Sequence, residues 1–297
     1  MFKNTILFIK KRRFIILAII FFNLFIPIGG SSAFTPTIYE PNVNELKRTG
    51  IKIGQIAAKF IRFGPTKEGT NLAKLAVALN PEEIELWMIL AEGEMRRNNL
   101  EEALSSIQKA KSYNPKIASL WFAEASIALN QNKPENAIDA IKNGLKLEPN
   151  NSTAYFQLGN ANLILKNHKS ALDAFIEASK INPNFWQSIN NQGLVLYELN
   201  KIDKAIAKWK EALSITNDAE PKLALAAALN KKDLGNIESI ELVKEALSLN
   251  PNYVSYQHQK EQLWGDKLQE ATEELFKNPK LEKTINEALA NSDFENK

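Results

Sequence analysis

The chain has 297 residues, a hydrophobic fraction of 44% and a formal charge of +3, and it contains no cysteine. The missing thiol excludes structural disulfides, cysteine-ligated zinc, thiol catalysis and lipidation of a bacterial lipoprotein cysteine. The positive charge is local: Lys3, Lys10, Lys11, Arg12 and Arg13 fall in an acid-free stretch of 33 residues, and without those five the remainder carries −2, so nothing supports a nucleic-acid partner.

Residues 1–33 are expected to form a signal peptide or membrane anchor. A basic stretch, residues 10–13, precedes an apolar run over residues 14–26, and Pro27, Gly29, Gly30, Ser31, Ser32 and Ala33 come after it. Small residues at 31 and 33 suit cleavage before Phe34, whereas extension through Ile28 lets the run span a thinned bilayer as a retained anchor. Both outcomes stay open, and both place the rest of the chain on the translocated (periplasmic or lumenal) side of a membrane. Residues 34–49 read as a linker and helix start, with prolines at 36 and 41.

A helix is expected over residues 42–63. Val43, Leu46, Gly50, Ile53, Ala57 and Phe60 recur at helical spacing, while Lys47, Arg48, Lys52, Lys59 and Arg62 gather on the other side. The basic face suits a solvated first helix of a repeat or a helix lying on anionic lipid, and the first reading is preferred.

Repeats organise the chain from residue 50 to residue 253. Prolines at 81, 115, 149, 183 and 251 are spaced by 34, 34, 34 and 68 residues, with Asn217 at the skipped place. The clearest copy, residues 152–185, has Tyr155, Leu158 and Gly159 on one face of a first helix and Ala171, Phe175 and Ala178 on one face of a second. Pro183 then stops the second helix. Copies at 50–83, 84–117, 118–151, 186–219 and 220–253 keep most of these positions. The pattern resembles the tetratricopeptide (TPR) repeat, two antiparallel helices in about 34 residues. That resemblance implies an all-α, right-handed α-solenoid of about six helix pairs over residues 50–253. A leader followed by the run 72–87, LAKLAVALNPEEIELW, is also similar to cyanobacterial thylakoid-associated repeat proteins that assist assembly of membrane complexes.

Residues 254–276 are expected to form one polar capping helix, its Leu263, Trp264, Leu268 and Leu275 covering the last repeat; 277–297 form a tail, in which Pro279 breaks the cap, residues 281–290 suit one more short helix and 291–297 fray. The two histidines, His168 and His258, lie far apart and beside no nucleophile or acid at motif spacing, so each reads as an exposed residue. No phosphate loop, zinc helix or nucleophile elbow is present, and neither a catalytic activity nor a cofactor is expected. Asn150 and Asn151 create formal glycosylation sequons but sit where a helix needs capping.

The resemblance implies that first-helix positions 2, 5, 9 and 12 line a concave groove. In the second to fifth copies that strip contains no Lys or Arg, which disfavours the acidic chaperone tails that some family members hold. Met88, Met95, Phe122, Phe156, Asn160, Gln187, Asn190 and Tyr197 are the expected groove residues, suited to an apolar or amphipathic peptide of a protein partner. The expected function is a noncatalytic scaffold in membrane-complex assembly, the alternative a self-associating structural component of the envelope.

Overall fold

The computed structural model describes residues 42–292. The expected signal or anchor, the prolines at 36 and 41, and residues 293–297 lie outside the described residues. Six helix pairs succeed one another: α1 (Val43–Phe63) with α2 (Thr66–Leu79), α3 (Ile84–Arg96) with α4 (Leu100–Tyr113), and α5 (Ala118–Asn130) with α6 (Pro134–Leu147). Next come α7 (Ser152–Ile164) with α8 (His168–Ile181), α9 (Trp186–Glu198) with α10 (Ile202–Leu213), and α11 (Ala219–Lys232) with α12 (Ile237–Leu249). Among the described residues there is no strand, and no helix is long and apolar enough to cross a membrane.

One local device closes the middle pairs. Asn98, Asn132, Lys166 and Asn200, each 34 residues from the last, adopt φ of 59°, 55°, 58° and 59°. The next N–H then reaches back five residues, as in Asn99 N to Glu94 O and Asn167 N to Asn162 O, at 2.9 and 2.8 Å. This ends the first helix and reverses the chain. Asparagine tolerates the left-handed region because its short polar side chain bonds locally, which explains three of the four residues.

The core lies within and between successive pairs. Ala103, Ala137, Ala171 and Ala205 are all fully buried, so the helices approach closely while Phe175 and Trp209, also fully buried, fill the space between them. Trp87 and Trp121 bridge copies, their Nε1 donating to the carbonyls of Pro81 and Pro115 at 2.7 and 2.9 Å. First helices of neighbouring pairs also touch, α5 with α7 and α9 with α11, which puts first helices on the inside of the curve. Glu94, a charged residue buried in the second pair, is satisfied locally. Its buried carboxylate lies 2.7 Å from Lys74 Nζ and accepts from Asn99 Nδ2 at 2.6 Å. Burial pushes that carboxyl up, but the bonds from Lys74 and Asn99 outweigh it and hold it below its ordinary value.

The single capping helix expected over residues 254–276 is replaced by a broken segment. A 3₁₀ turn (Pro251–Val254) leads to α13 (Tyr256–Glu261), then to a reversal, then to α14 (Asp266–Phe276), a second 3₁₀ turn (Pro279–Leu281) and α15 (Glu282–Asn291). The reversal is another left-handed stop, with Leu263 at φ 63° and Trp264 N bonded to Gln259 O at 3.0 Å. Gly265 completes it: a Cβ there would meet the Glu198 carboxyl carbon at 2.2 Å. Through that gap Glu198 accepts from Leu268 N at 3.1 Å and so caps α14 from another helix. In consequence α14 lies on α9 and α11, the first helices of the fifth and sixth pairs, whereas α15 covers α12.

Candidate functional site

The expected groove divides into two parts. In the second to fourth pairs, Glu85, Ser119 and Thr153 at the leading edge of the strip are exposed, and Glu92, Ser126 and Asn160 are half-buried. In the fifth pair, α14 occupies the inner face. Its Leu268, Ala271 and Leu275 are buried there, spaced to share one side of the helix. Asn190 and Tyr197 are correspondingly 0% and 4% exposed, so neither is open to a ligand in this arrangement.

The aromatic residues of the strip face inward more than periodicity suggests. Phe122 packs over Gly144 of α6, where a Cβ would come within 2.3 Å of a ring carbon. The Phe156 ring centroid stands 5.7 Å from Phe175 and 4.9 Å from Phe185. Met88 and Met95 are partly buried against Ala91 and Ile107. These four side chains present edges to the groove while their bodies complete the core.

At the boundary between open and covered parts lies a cavity of about 420 Å³. Phe156 and Asn160 of α7 form one wall, Trp186, Gln187 and Asn191 of α9 the floor, and Asp218 and Glu220 the start of α11. Tyr253, His258, Gln262 and Leu263 of the C-terminal segment close the far side. Three of the eight expected groove residues, Phe156, Asn160 and Gln187, are thus brought together here. Asn160 Oδ1 accepts from Asn191 Nδ2 at 3.1 Å, and among the described residues its own Nδ2 makes no hydrogen bond.

Glu220 is the electrostatic centre of this wall. Its Oε1 accepts from Trp264 Nε1 at 3.0 Å, and Asn190 and Tyr253 also bond to the carboxyl group. Burial pushes the carboxyl up to about 7, the Trp264 and Asn190 bonds working against that and the nearby Asp218 reinforcing it. Asp218 itself caps α11, accepting from Glu220 N at 3.0 Å.

Sequence reasoning misses the contributions of Asp218, Glu220, Tyr253 and His258. The two acids are legible only as the cap and first turn of a helix, and the meeting of Glu220 with Trp264 depends on the reversal at Leu263. His258, expected to be exposed, is half-buried in the cavity wall with its ring 4.6 Å from that of Tyr253. Burial lowers its pKa, against an opposing pull from Glu261. His168 is likewise half-buried, at the start of α8.

Residues 122–185 match the family model described as tetratricopeptide repeat. The array is a tetratricopeptide-repeat solenoid. Among solved structures, Pseudomonas aeruginosa pilF is 17% identical with a TM-score of 0.59, the match covering 78% of this chain and 99% of that one. PilW, described as a widely conserved type IV pilus biogenesis factor, is 18% identical with a TM-score of 0.57, covering 75% and 98%. YrrB, described as a TPR protein with an unusual peptide-binding site, is 18% identical with a TM-score of 0.50, covering 65% and 96%. At these identities the likeness is one of fold. No curated protein sequence matches significantly. Within the TPR array, the covered groove of the fifth and sixth pairs and the cavity beside it are built by the C-terminal segment.

Proposed function

We propose that this TPR array is a scaffold whose open groove, from the second pair to the cavity beside the fifth, holds an amphipathic segment of a partner protein. The observation that carries the reading is α14. An amphipathic helix of the chain itself already lies on first helices, its apolar side inward and Lys267, Glu270, Glu273 and Glu274 outward. The inner face therefore accepts a helix in the manner of other helix-in-groove recognition. Asn160, with its unengaged Nδ2, supplies a donor for a partner carbonyl where the open groove meets the cavity. We extend the proposal to membrane-complex assembly on the translocated side, on the strength of the apolar run at residues 14–26; the likeness to thylakoid assembly factors rests on the leader and the repeat sequence, the run 72–87 above all.

Phe122 and Phe156 are poor probes of this role because both rings complete the core. Ser119 and Thr153, exposed at the same strip, are the positions to use. A photo-crosslinking residue placed at either in the full chain, in its own cell, should give the same discrete protein adduct, and the same residue at the outward Glu135 should not. Ser119→Arg should suppress the adduct formed from position 153 while thermal unfolding is unchanged, since exposed substitutions seldom move stability by more than about 0.5 kcal/mol. No adduct from 119 and 153, or equal adducts from 135, would defeat the groove as the working surface.

A further inference from the structure

Helix α1 carries a second surface that the groove does not use. Its inward side, with Gly50, Gly54, Ala57 and Ile61 buried, packs on α2 and the following pair. Its outward side leaves Ile56, Phe60 and Phe63 exposed by 48%, 38% and 89%. These three keep the i, i+4, i+7 spacing of one face, and Thr49, Arg48, Lys52 and Lys59 fall with them inside an arc of about 120°.

The five basic residues of this helix divide by direction. Lys47 reaches Glu82 at 2.6 Å and Arg62 reaches Glu92 at 3.1 Å, so both are tied to the array. Arg48, Lys52 and Lys59 are exposed and make no ion pair among the described residues. The one acid of the helix, Glu45, stands in its first turn, eighteen residues before Phe63 and so on the same face, and residues 46–63 contain none, which leaves that face with three cations to one acid. A merely solvated face would have no need of two large phenylalanine rings beside its lysines. Apolar side chains and unpaired cations on one side are what an anionic bilayer surface accommodates, the rings entering the acyl boundary and the cations staying among the headgroups.

Retained as an anchor, the leader would also hold this helix near a membrane. The apolar run at residues 14–26 precedes Val43 by 16 intervening residues, a reach of at most about 55 Å when fully extended. We infer that the outward face of α1, through Ile56, Phe60, Phe63, Arg48, Lys52 and Lys59, lies on an anionic lipid surface and presents the TPR array edge-on to the membrane. Insertion through residues 14–26 alone would hold the chain at the bilayer without orienting the array; the α1 face fixes its orientation.

Because the chain has no cysteine, Thr49→Cys in the full-length protein gives a single labelling site at the middle of the face that keeps every apolar and basic residue of it. An environment-sensitive NBD label there should shift to the blue and be quenched by brominated lipid on vesicles of phosphatidylcholine with phosphatidylglycerol. The same label at Glu135→Cys should remain in water on those vesicles. Replacing Arg48, Lys52 and Lys59 with Gln should weaken the response roughly a hundredfold, about fivefold for each cation lost. The inference fails if the label at position 49 behaves like that at 135 while the chain is vesicle-bound. It fails equally if neutral vesicles give the same response, or if the label is already shielded before vesicles are added, which would mean that the chain's own residues cover the face.

Discussion

Glu220 joins two segments that are distant in sequence, and its protonation state is set by that junction. In the docked arrangement its carboxyl group has a pKa near 7, against 4.5 without burial, because Trp264 and Tyr253 close over it and Asp218 lies nearby. The raised value means that docking favours the protonated form. Its contribution is therefore fully present below about pH 4.5, declines as the pH rises toward 7 and is constant above that. A shift of this size corresponds to at most about 3–4 kcal/mol. Hydrogen exchange of residues 250–276, corrected for intrinsic rates, should be faster at pH 8 than at pH 5.5. In Glu220→Gln, which retains an acceptor for Trp264 Nε1 without the charge, that difference should be lost and replaced by the opposite trend of His258, whose lowered pKa makes docking weaker on acidification. Glu94 bears the opposite sign, since its lowered value gives stability above pH 4.5 that is lost on acidification, so the two residues separate in a pH series.

At the scale of elements, the recurrence of Ala103, Ala137, Ala171 and Ala205 with the 34-residue prolines makes the six helix pairs legible, and Asn98, Asn132 and Asn200 keep that spacing at the left-handed turns the structure adds. The broken cap is not. Residues 254–276 hold a continuous helical pattern without proline, and the break depends on Glu198 reaching across from α9 into the space left by Gly265. A tertiary contact has overridden a local preference, and the groove residues inherit the consequence: Asn190 and Tyr197 sit at binding positions by spacing yet are buried. Gly265→Ala tests that cause. The added methyl group should displace the Glu198 carboxylate, lower urea stability by about 1–3 kcal/mol and expose the fifth pair to exchange. Combined with Glu198→Ala the second loss should be much smaller than the first, because both changes remove one contact.

At the scale of the whole described array, repeats couple chiefly to their neighbours, so the C-terminal segment should stabilise the pairs it touches far more than the distant ones. The contacts are specific: α14 rests on α9 and α11, α15 rests on α12, and Leu268, Leu275 and Leu281 are fully buried. Ending the chain after Leu249 would bare the inner face of the fifth and sixth pairs together with Glu220. Exchange protection should then fall in α9 to α12 while α3 to α8 keep most of theirs, as expected for a nearest-neighbour array rather than a single cooperative unit. A synthetic peptide spanning residues 250–292 should bind this shortened chain in trans and restore protection to α9 and α11, and lowering the pH from 8 to 5.5 should favour that binding more than it does in the Glu220→Gln form. Uniform loss of protection across all six pairs would contradict the neighbour-limited picture. Failure of the peptide to restore α9 and α11, with the pairs still helical, would show that covalent attachment rather than groove complementarity holds α14 in place. A groove that recaptures its own helix from solution has the surface needed to take one from a partner.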